Sequence, residues 1–150
     1  MKHIRTLLIL ALGFASGALI SHLPEAAKAQ PAPVVAMSLD LNALTLADFP
    51  PPNPALPDLH SKTLVKVDST VFQYAVGTAP KHVHMGTTEV QVFLAGTGTE
   101  WLGDKQVPIS PGTFLVIPPN TAHSGFTGGP FRFFVVKTPP QDPTDYHMVP

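Results

Sequence analysis

The chain has no cysteine among its 150 residues, and only 13% of its residues are charged. A disulfide framework is therefore impossible, and lipid attachment through a cysteine is excluded as well. The formal net charge is −1, and the basic residues form no stripe or cluster. Nucleic acids and anionic membrane surfaces are accordingly not expected as partners.

The first 29 residues have the composition of an export signal. A basic start at residues 2–5 precedes an uncharged run from Thr6 to Ile20, and the small-residue site Ala27-Lys28-Ala29 follows. This pattern predicts a signal peptide over residues 1–29, cleaved before Gln30, and a periplasmic or secreted bacterial protein with no stable membrane association after cleavage. The alternative is an uncleaved membrane anchor, but the apolar run is shorter than the roughly 20 residues that a spanning helix needs.

Cleavage would leave residues 30–150, the length of one domain. Residues 30–60 are rich in proline, and Pro50-Pro51-Pro52 rules out a long helix or a central strand there. We expect a proline-rich N-terminal arm that is extended and packs through Phe49 and Leu56. Residues 139–150 contain four prolines. They are expected to form an extended C-terminal tail, ordered in part at best.

Residues 61–138 have the pattern of an all-β domain. Short runs rich in β-branched and aromatic residues alternate with glycine-containing turns of the kind that form hairpins. The expected strands are Thr63 to Val67, Val71 to Val76, Thr88 to Ala95, Glu100 to Leu102, Val107 to Ile109, Thr113 to Ile117, His123 to Phe126 and Phe131 to Thr138. Short strands at this spacing indicate a β-barrel or a β-sandwich.

Three histidines and one glutamate carry the chemistry of this domain. His82 and His84 are two residues apart, so on a strand their side chains point to the same face and can bind one ion. Glu89 opens an alternating strand, where a carboxylate is costly to bury unless it is paired or bound to a metal. His123 follows a proline-rich turn and would complete the set from across the barrel. The sequence therefore predicts a metal site at His82, His84, Glu89 and His123.

Each of these residues alone has a commoner explanation. A lone histidine is usually exposed or hydrogen-bonded within a core, and Glu89 alone would fit the solvated start of a strand. The metal site is favoured because four separate explanations would have to coincide at these offsets. The two other histidines after residue 29, His60 and His147, lie in the proline-rich flanks and are expected to be exposed to solvent.

The segment Gly77–Gly96, which holds the first three of these residues, and the segment Pro111–His123 resemble the two motifs of the cupin superfamily. The chain is most similar to a small, single-domain cupin of type 2 preceded by a signal peptide. In that family, two histidines and a glutamate of the first motif and a histidine of the second bind the metal. The usual asparagine after the last histidine is absent, since residues 124–127 read Ser-Gly-Phe-Thr, but this departure touches no ligand.

The resemblance implies a jelly-roll β-barrel with a divalent metal inside its mouth, often in a homodimer. Four ligands without thiolate suit Fe(II), Mn(II), Ni(II), Co(II) or Zn(II). Three neutral imidazoles and one carboxylate leave a formal charge of +1 on such a centre, with coordination positions open. The site therefore favours an anionic or enolisable oxygen ligand, that is, a small-molecule substrate or ligand.

Candidate catalytic residues are Gln91, on the same face as Glu89, and Tyr74. Gln91 is suited to hydrogen-bond a ligand from outside the coordination sphere. Tyr74 can serve as a proton donor if its hydroxyl faces the metal, but a barrel-wall tyrosine more often has its hydroxyl at the rim. Arg132 can bind a substrate carboxylate, although an exposed edge arginine is the commoner outcome. The aromatic candidates for a cavity wall, most of which fit an ordinary core, are Phe72, Tyr74, Phe93, Trp101, Phe114, Phe126 and Phe134.

Two classes of function remain open on the sequence alone. The first is a metal-dependent dioxygenase or oxidase acting on a small organic acid, diketone or phenolic compound. The second is a non-catalytic periplasmic protein that binds a small ligand through the same metal. The fold hosts so many activities that the family does not decide between them.

Overall fold

The structure is a computed structural model that describes residues 33–150. The predicted signal peptide and its cleavage site lie outside these residues. In the described part, no helix has both the length and the apolar character to cross a membrane. Apart from two short 3₁₀ turns in the arm, Leu41–Ala43 and Leu46–Asp48, the regular structure there is all β.

The strands form two antiparallel five-stranded sheets. Their bounds are β1 Leu59–Val67, β2 Thr70–Gly77, β3 His82–Val83, β4 Thr88–Ala95, β5 Gly98–Leu102, β6 Lys105–Ile109, β7 Phe114–Ile117, β8 His123–Gly128, β9 Arg132–Thr138 and β10 His147–Met148. One sheet has the order β1-β2-β9-β4-β7 and the other the order β10-β3-β8-β5-β6. The predicted jelly-roll β-barrel is confirmed.

Side chains from both sheets meet in the hydrophobic core between them. The buried core residues are Ala75, Phe93, Ile109, Leu115, Ile117, Phe131, Phe133 and Val135. Phe93 stacks on Phe133 with ring centroids 5.1 Å apart. Burial of such side chains contributes about 1.5–3 kcal/mol each, so this cluster is the main source of the barrel's stability.

The inward positions of β4 and β9 change from polar to aromatic along each strand. On β4, Glu89 and Gln91 come before Phe93, and all three are buried, as the sequence predicted. On β9 the order is reversed, with Phe133 before Lys137. Because the strands are antiparallel, Glu89 is opposite Lys137 and Phe93 is opposite Phe133. One end of the barrel interior is thus filled by the apolar core, while the other end carries ionisable groups.

The two glycines that bound the first motif are required by the backbone. Gly77 has φ +114° and Gly96 has φ +95°, a region that favours glycine. A Cβ on Gly77 would lie 1.9 Å from the carbonyl oxygen of Asp58, and one on Gly96 would lie 2.5 Å from that of Pro130. Both positions therefore allow chain segments to approach more closely than any side chain would permit.

The N-terminal arm packs on the outer face of β2, as expected. Phe49 is buried against the ring of Tyr74, with centroids 5.8 Å apart. Lys62 on β1 donates a hydrogen bond to the carbonyl oxygen of Asp48 at 2.8 Å. Leu56 is partly buried and lines the cavity described below.

Three expectations at the edges of the barrel were wrong. β1 begins at Leu59 rather than Thr63, so His60 belongs to the sheet and is partly buried, in edge contact with Phe49. β3 ends at Val83, so His84 lies just beyond the strand that was expected to carry both histidines. β10, also two residues long, was not predicted because so short a pairing leaves no periodic pattern. The tail is ordered through β10, which pairs with β3. His147 is exposed, as predicted.

Candidate metal centre

Three histidines converge at the polar end of the barrel. His82 on β3 lies opposite His123 on β8, and His84 follows two residues later on the same side as His82. All three side chains are buried, and one ligand nitrogen from each lies within 4.8 Å of the others. The local fold therefore brings together the three imidazoles that the spacing predicted.

Each imidazole is oriented through its Nδ1 atom by a backbone carbonyl oxygen. The acceptors are Pro80 for His82 at 2.8 Å, Asp145 for His84 at 2.5 Å and Thr121 for His123 at 3.0 Å. A carbonyl oxygen only accepts hydrogen bonds, so each Nδ1 carries the proton and each Nε2 keeps its lone pair. This is the arrangement in which metal-binding histidines are usually held.

His82 and His123 are kept neutral by their surroundings. Burial, reinforced by the neighbouring His123, lowers the pKa of His82 to about 3. Burial also lowers the pKa of His123. Neutral imidazole is the form that binds metal ions, so protons do not compete for these two nitrogens at neutral pH.

Glu89 on β4 lies beside the three histidines, and its carboxylate also contacts Lys137 and Gln91. Its Oε2 atom lies 3.4 Å from Nε2 of His84 and 3.9 Å from Nε2 of His123. The same oxygen lies 3.2 Å from Nζ of Lys137, and Gln91 donates a hydrogen bond to Oε1 at 2.8 Å. Burial alone would raise the pKa of Glu89, but Lys137, followed by His84 and His123, holds it well below its usual range. Glu89 is therefore ionised beside the histidines.

Lys137 is the charged residue of the site that sequence reasoning missed. It lies at the end of β9, opposite Glu89, and also hydrogen-bonds Gln141. Alternation along β9 could have revealed it, because Phe131, Phe133 and Val135 are inward and Lys137 is next in the series.

A cavity of about 260 Å³ adjoins the histidines. Its polar wall includes His82, Glu89, Gln91 and Lys137, and the aromatic side chains that line it are Phe133 and Tyr146. The remaining wall mixes aliphatic side chains with uncharged polar ones; the aliphatic ones include Leu56, Leu59, Ala75, Ala79 and Val135. A mixed lining of this kind is typical of sites for small organic molecules.

The C-terminal tail forms one wall of the cavity. The Asp145 carboxylate accepts hydrogen bonds from the backbone N–H groups of Met85, at 2.5 Å, and Gly86, at 3.0 Å. Tyr146 stacks on the ring of His82 with centroids 4.0 Å apart and an interplanar angle of 22°. Burial, with a smaller contribution from Glu89, raises the pKa of Tyr146 to about 12. The proline-rich composition of the tail gave no indication of this role.

The family model of the cupin domain matches residues 70–137, which include all four predicted ligands. The chain belongs to the cupin superfamily. No curated protein matches this cupin by sequence.

Solved structures with the same fold include the polyketide cyclase RemF from Streptomyces resistomycificus, 23% identical, with 71% of this chain and 83% of that chain covered and a TM-score of 0.55. A cupin 2 conserved barrel domain protein from Rhodopseudomonas palustris is 18% identical, with 64% and 70% covered and a TM-score of 0.54. The nucleoside dehydratase Pac13, from Streptomyces, is 17% identical, with 70% and 88% covered and a TM-score of 0.54. A Pac13 variant was solved with uridine. At these identities the likeness shows the fold alone.

The residues of this cupin fit a divalent metal ion. Nε2 of His84, Nε2 of His123 and Oε2 of Glu89 are buried and make no hydrogen bond of good geometry within the described residues. Buried polar atoms without partners are rare and destabilising, and these three atoms lie next to one another. The buried histidine group can hold an ion, with Glu89 as the adjacent oxygen donor.

Several residues that the sequence suggested as part of the cavity wall do not line the cavity. Tyr74 is fully buried, but on the opposite face of β2 from the cavity, under Phe49 of the arm. Alternation explains this correction, because Gln73 and Ala75 line the cavity and Tyr74 lies between them. Arg132 and the six other aromatic candidates named above are also absent from the lining. Gln91 does line the cavity, hydrogen-bonded to Glu89.

A second buried carboxyl group of the cupin lies behind this site. Glu100 on β5 is fully buried, and its Oε1 atom accepts a hydrogen bond from the backbone N–H of Ser124 at 2.9 Å. Burial raises the pKa of Glu100 to about 8, and the ionised Glu89 adds to this effect. Glu100 therefore carries a proton at neutral pH, while Glu89 does not.

Proposed function

We propose that this cupin is an exported, metal-dependent enzyme that binds a small anionic molecule and oxidises it with molecular oxygen, as a dioxygenase or an oxidase. The substrate class is a small organic acid, a diketone or a phenolic compound. The observation that carries the proposal is the group of three buried histidines beside a cavity that also contains the cation of Lys137. In this proposal, the metal held by the histidines and the cation of Lys137 together bind a negatively charged oxygen ligand.

The ligands proposed for the metal are His82, His84 and His123, with Glu89 as the fourth. Nitrogen and oxygen donors without thiolate suit Fe(II), Mn(II), Ni(II), Co(II) or Zn(II). A divalent metal supplies Lewis acidity toward the substrate oxygens and, if it is redox-active, a route for electrons to oxygen. The three backbone carbonyls that hold the Nδ1 atoms keep the imidazoles oriented for this role.

Lys137 supports an anionic substrate. Its charge offsets that of Glu89 at 3.2 Å, so a divalent ion in the site would keep its full formal charge of +2. This is one positive charge more than the sequence alone predicted. An anionic oxygen ligand entering this cavity is therefore attracted more strongly than it would be by a centre of charge +1.

Two ionisable groups of the cavity wall are not suited to act as a general base. An efficient general base has a pKa near the working pH. The pKa of His82 is lowered to about 3, chiefly by burial, and that of Glu89 is held well below its usual range despite burial, chiefly by Lys137. Both are weak bases at neutral pH. The site is thus better suited to holding an already ionised substrate than to removing its proton.

Oxygen uptake tests this proposal. The mature protein is loaded separately with each of the five metals and supplied with organic acids, diketones and phenols, and oxygen consumption and product are measured. The expected result is oxygen consumption in proportion to substrate with at least one redox-active metal, and its loss in Glu89→Gln. Metal-dependent binding of such compounds without product at any metal loading would replace the enzyme with the second class, a ligand-binding cupin.

The homodimer that the resemblance implies is a further part of the proposal. Support comes from β7, an edge strand of its sheet, where Phe114 and Val116 are 61% and 49% exposed. Leu94 on the neighbouring β4 is 41% exposed. Exposed apolar patches commonly mark contact surfaces. Light scattering should show a dimer for the wild type and a monomer for Phe114→Glu, and a monomeric wild type would contradict this assembly.

A further inference from the structure

Tyr146 occupies a position at the site that its place in a proline-rich tail does not suggest. Its ring is stacked on His82, with centroids 4.0 Å apart, and makes edge contact with His84 at 5.9 Å. It also lines the cavity beside Glu89 and Lys137. The ring therefore contacts the histidines and borders the space that a small molecule would fill.

The hydroxyl of Tyr146 has no hydrogen-bond partner among the described residues, although the oxygen is buried. A buried tyrosine hydroxyl usually finds a partner, and leaving a polar group unsatisfied costs about 1–3 kcal/mol. The groups of the cavity wall do not meet this need in the structure. A ligand oxygen in the cavity would meet it.

The position of Tyr146 is fixed from both sides. On its N-terminal side, the Asp145 carboxylate accepts two backbone hydrogen bonds from Met85 and Gly86, and the Asp145 carbonyl oxygen accepts one from His84. On its C-terminal side, β10 pairs with β3, so that Met148 is opposite His82. A side chain held in this way is suited to recognising a ligand because little freedom remains to be lost on binding.

We propose that Tyr146 is a substrate-binding residue whose hydroxyl donates a hydrogen bond to an anionic oxygen of the molecule bound at the histidines. This inference rests on the proposed function and adds a specificity determinant to it. Tyr146 would favour ligands with an oxygen that accepts a hydrogen bond while another oxygen faces the histidines, as in catecholates, 2-oxo acids and enolised diketones. A ligand with a single oxygen could not contact the histidines and Tyr146 through separate atoms, so Tyr146 would increase its affinity less.

Tyr74, the other tyrosine of the chain, provides a matched control. Tyr74 is likewise buried and its hydroxyl likewise lacks a partner among the described residues, but it lies outside the cavity, against Phe49. Tyr146→Phe and Tyr74→Phe therefore remove the same buried hydroxyl group from two residues, of which only Tyr146 lines the cavity. Both changes keep the aromatic ring, so the stack on His82 is retained.

The test is the affinity of the zinc-loaded protein for 4-nitrocatechol, followed by its absorption change, together with zinc content and melting temperature. Tyr146→Phe should weaken binding by about tenfold or more, as expected for the loss of one hydrogen bond to a charged acceptor. Tyr74→Phe should leave the affinity unchanged, and both variants should keep their zinc. This pattern would support the role of Tyr146.

Two other outcomes would overturn it and can be told apart. If the wild type binds 4-nitrocatechol only with zinc and Tyr146→Phe binds equally well, Tyr146 does not contact the ligand, while the proposed function is untouched. If the zinc-loaded wild type binds no 4-nitrocatechol at all, the proposed function for this ligand class fails, and the role of Tyr146 fails with it.

Discussion

Nδ1 of His84 donates a hydrogen bond to the backbone carbonyl oxygen of Asp145 at 2.5 Å, across 61 residues of sequence. The carboxylate of the same aspartate accepts hydrogen bonds from Met85 and Gly86. Asp145 therefore fixes both the ring of His84 and the turn that follows it. The tail is in this sense part of the candidate metal centre, although none of its residues is a proposed ligand.

Asp145→Ala should weaken metal binding by about 10–100-fold, the usual effect of losing a group that orients a ligand. The change removes the carboxylate that anchors the tail at residues 85–86, so the carbonyl acceptor of His84 loses its fixed position. Competition with a chelating dye for Zn(II) measures the effect.

Asp142→Ala is the control for this prediction. Asp142 is also a tail aspartate with two hydrogen bonds, but both come from Thr144 in its own turn. Its replacement should leave zinc affinity unchanged. Equal affinity of the Asp145 and Asp142 variants would show that the tail does not orient His84.

The strands and the three histidines were predictable because both depend on local periodicity. Alternation places Glu89, Gln91 and Phe93 on the inward face of β4. The spacing of two residues also predicted that His82 and His84 would lie together, as they do, although β3 ends at Val83. The eight predicted strands are all present, with shifts of a few residues at their ends. These features require only that one side of each strand be buried.

The contributions of Lys137, Asp145 and Tyr146 were not predicted because they depend on contacts between distant segments. The pairing of Glu89 with Lys137 follows from the register of β4 and β9, which no local pattern states. The tail reaches β3 through a two-residue pairing. The position of Tyr74 outside the cavity was not predictable for a related reason: alternation along β2 separates its two faces, but it does not say which of them borders the cavity.

Metal content should depend on the histidines of the site. His84→Ala and His123→Ala each remove one of three buried histidine nitrogens that lie within 4.8 Å of one another, so purified protein should lose most of its metal. Elemental analysis makes the measurement. His60→Ala, which changes a histidine that contacts Phe49 on the outer face, should keep wild-type content, and full metal content in the two site variants would rule out the centre.

Lys137→Met should reduce the affinity of the zinc-loaded protein for oxalate by about tenfold, because a cation lining a buried cavity attracts an anion more strongly than one in water. Calorimetric titration measures the affinity. Lys105→Met is the matched change at an exposed position of β6 and should have no effect. Unchanged oxalate binding in Lys137→Met would mean that the cavity does not select anions through this residue.

Export remains a prediction from the pattern of residues 1–29. The basic start, the apolar run and the Ala27-Lys28-Ala29 site should direct cleavage before Gln30. Mass spectrometry of the native protein from fractionated cells measures its N-terminus and location. A full-length chain recovered from washed membranes would instead identify the apolar run as an anchor.

Glu100→Gln should remove a contribution to stability that decreases as pH rises. Burial raises the pKa of Glu100 from 4.5 to about 8 in the folded protein. Between these values the folded state keeps a proton that the unfolded chain releases, so the contribution of Glu100 to stability is fully present below about pH 4.5 and falls as pH rises, by at most about 1.4 kcal/mol per pH unit. Glutamine does not titrate, and its amide resembles the protonated acid in shape.

Urea unfolding of both proteins at pH 5, 6, 7 and 8 measures this effect, since the other titrating groups are common to both and cancel in the difference. The free energy of unfolding of the wild type, relative to Glu100→Gln, should decrease steadily from pH 5 to pH 8. Asp104→Asn, at an exposed turn, should give no such trend. A constant difference between wild type and Glu100→Gln would mean that Glu100 is ionised in the fold, and the buried site would then hold two negative carboxylates at neutral pH.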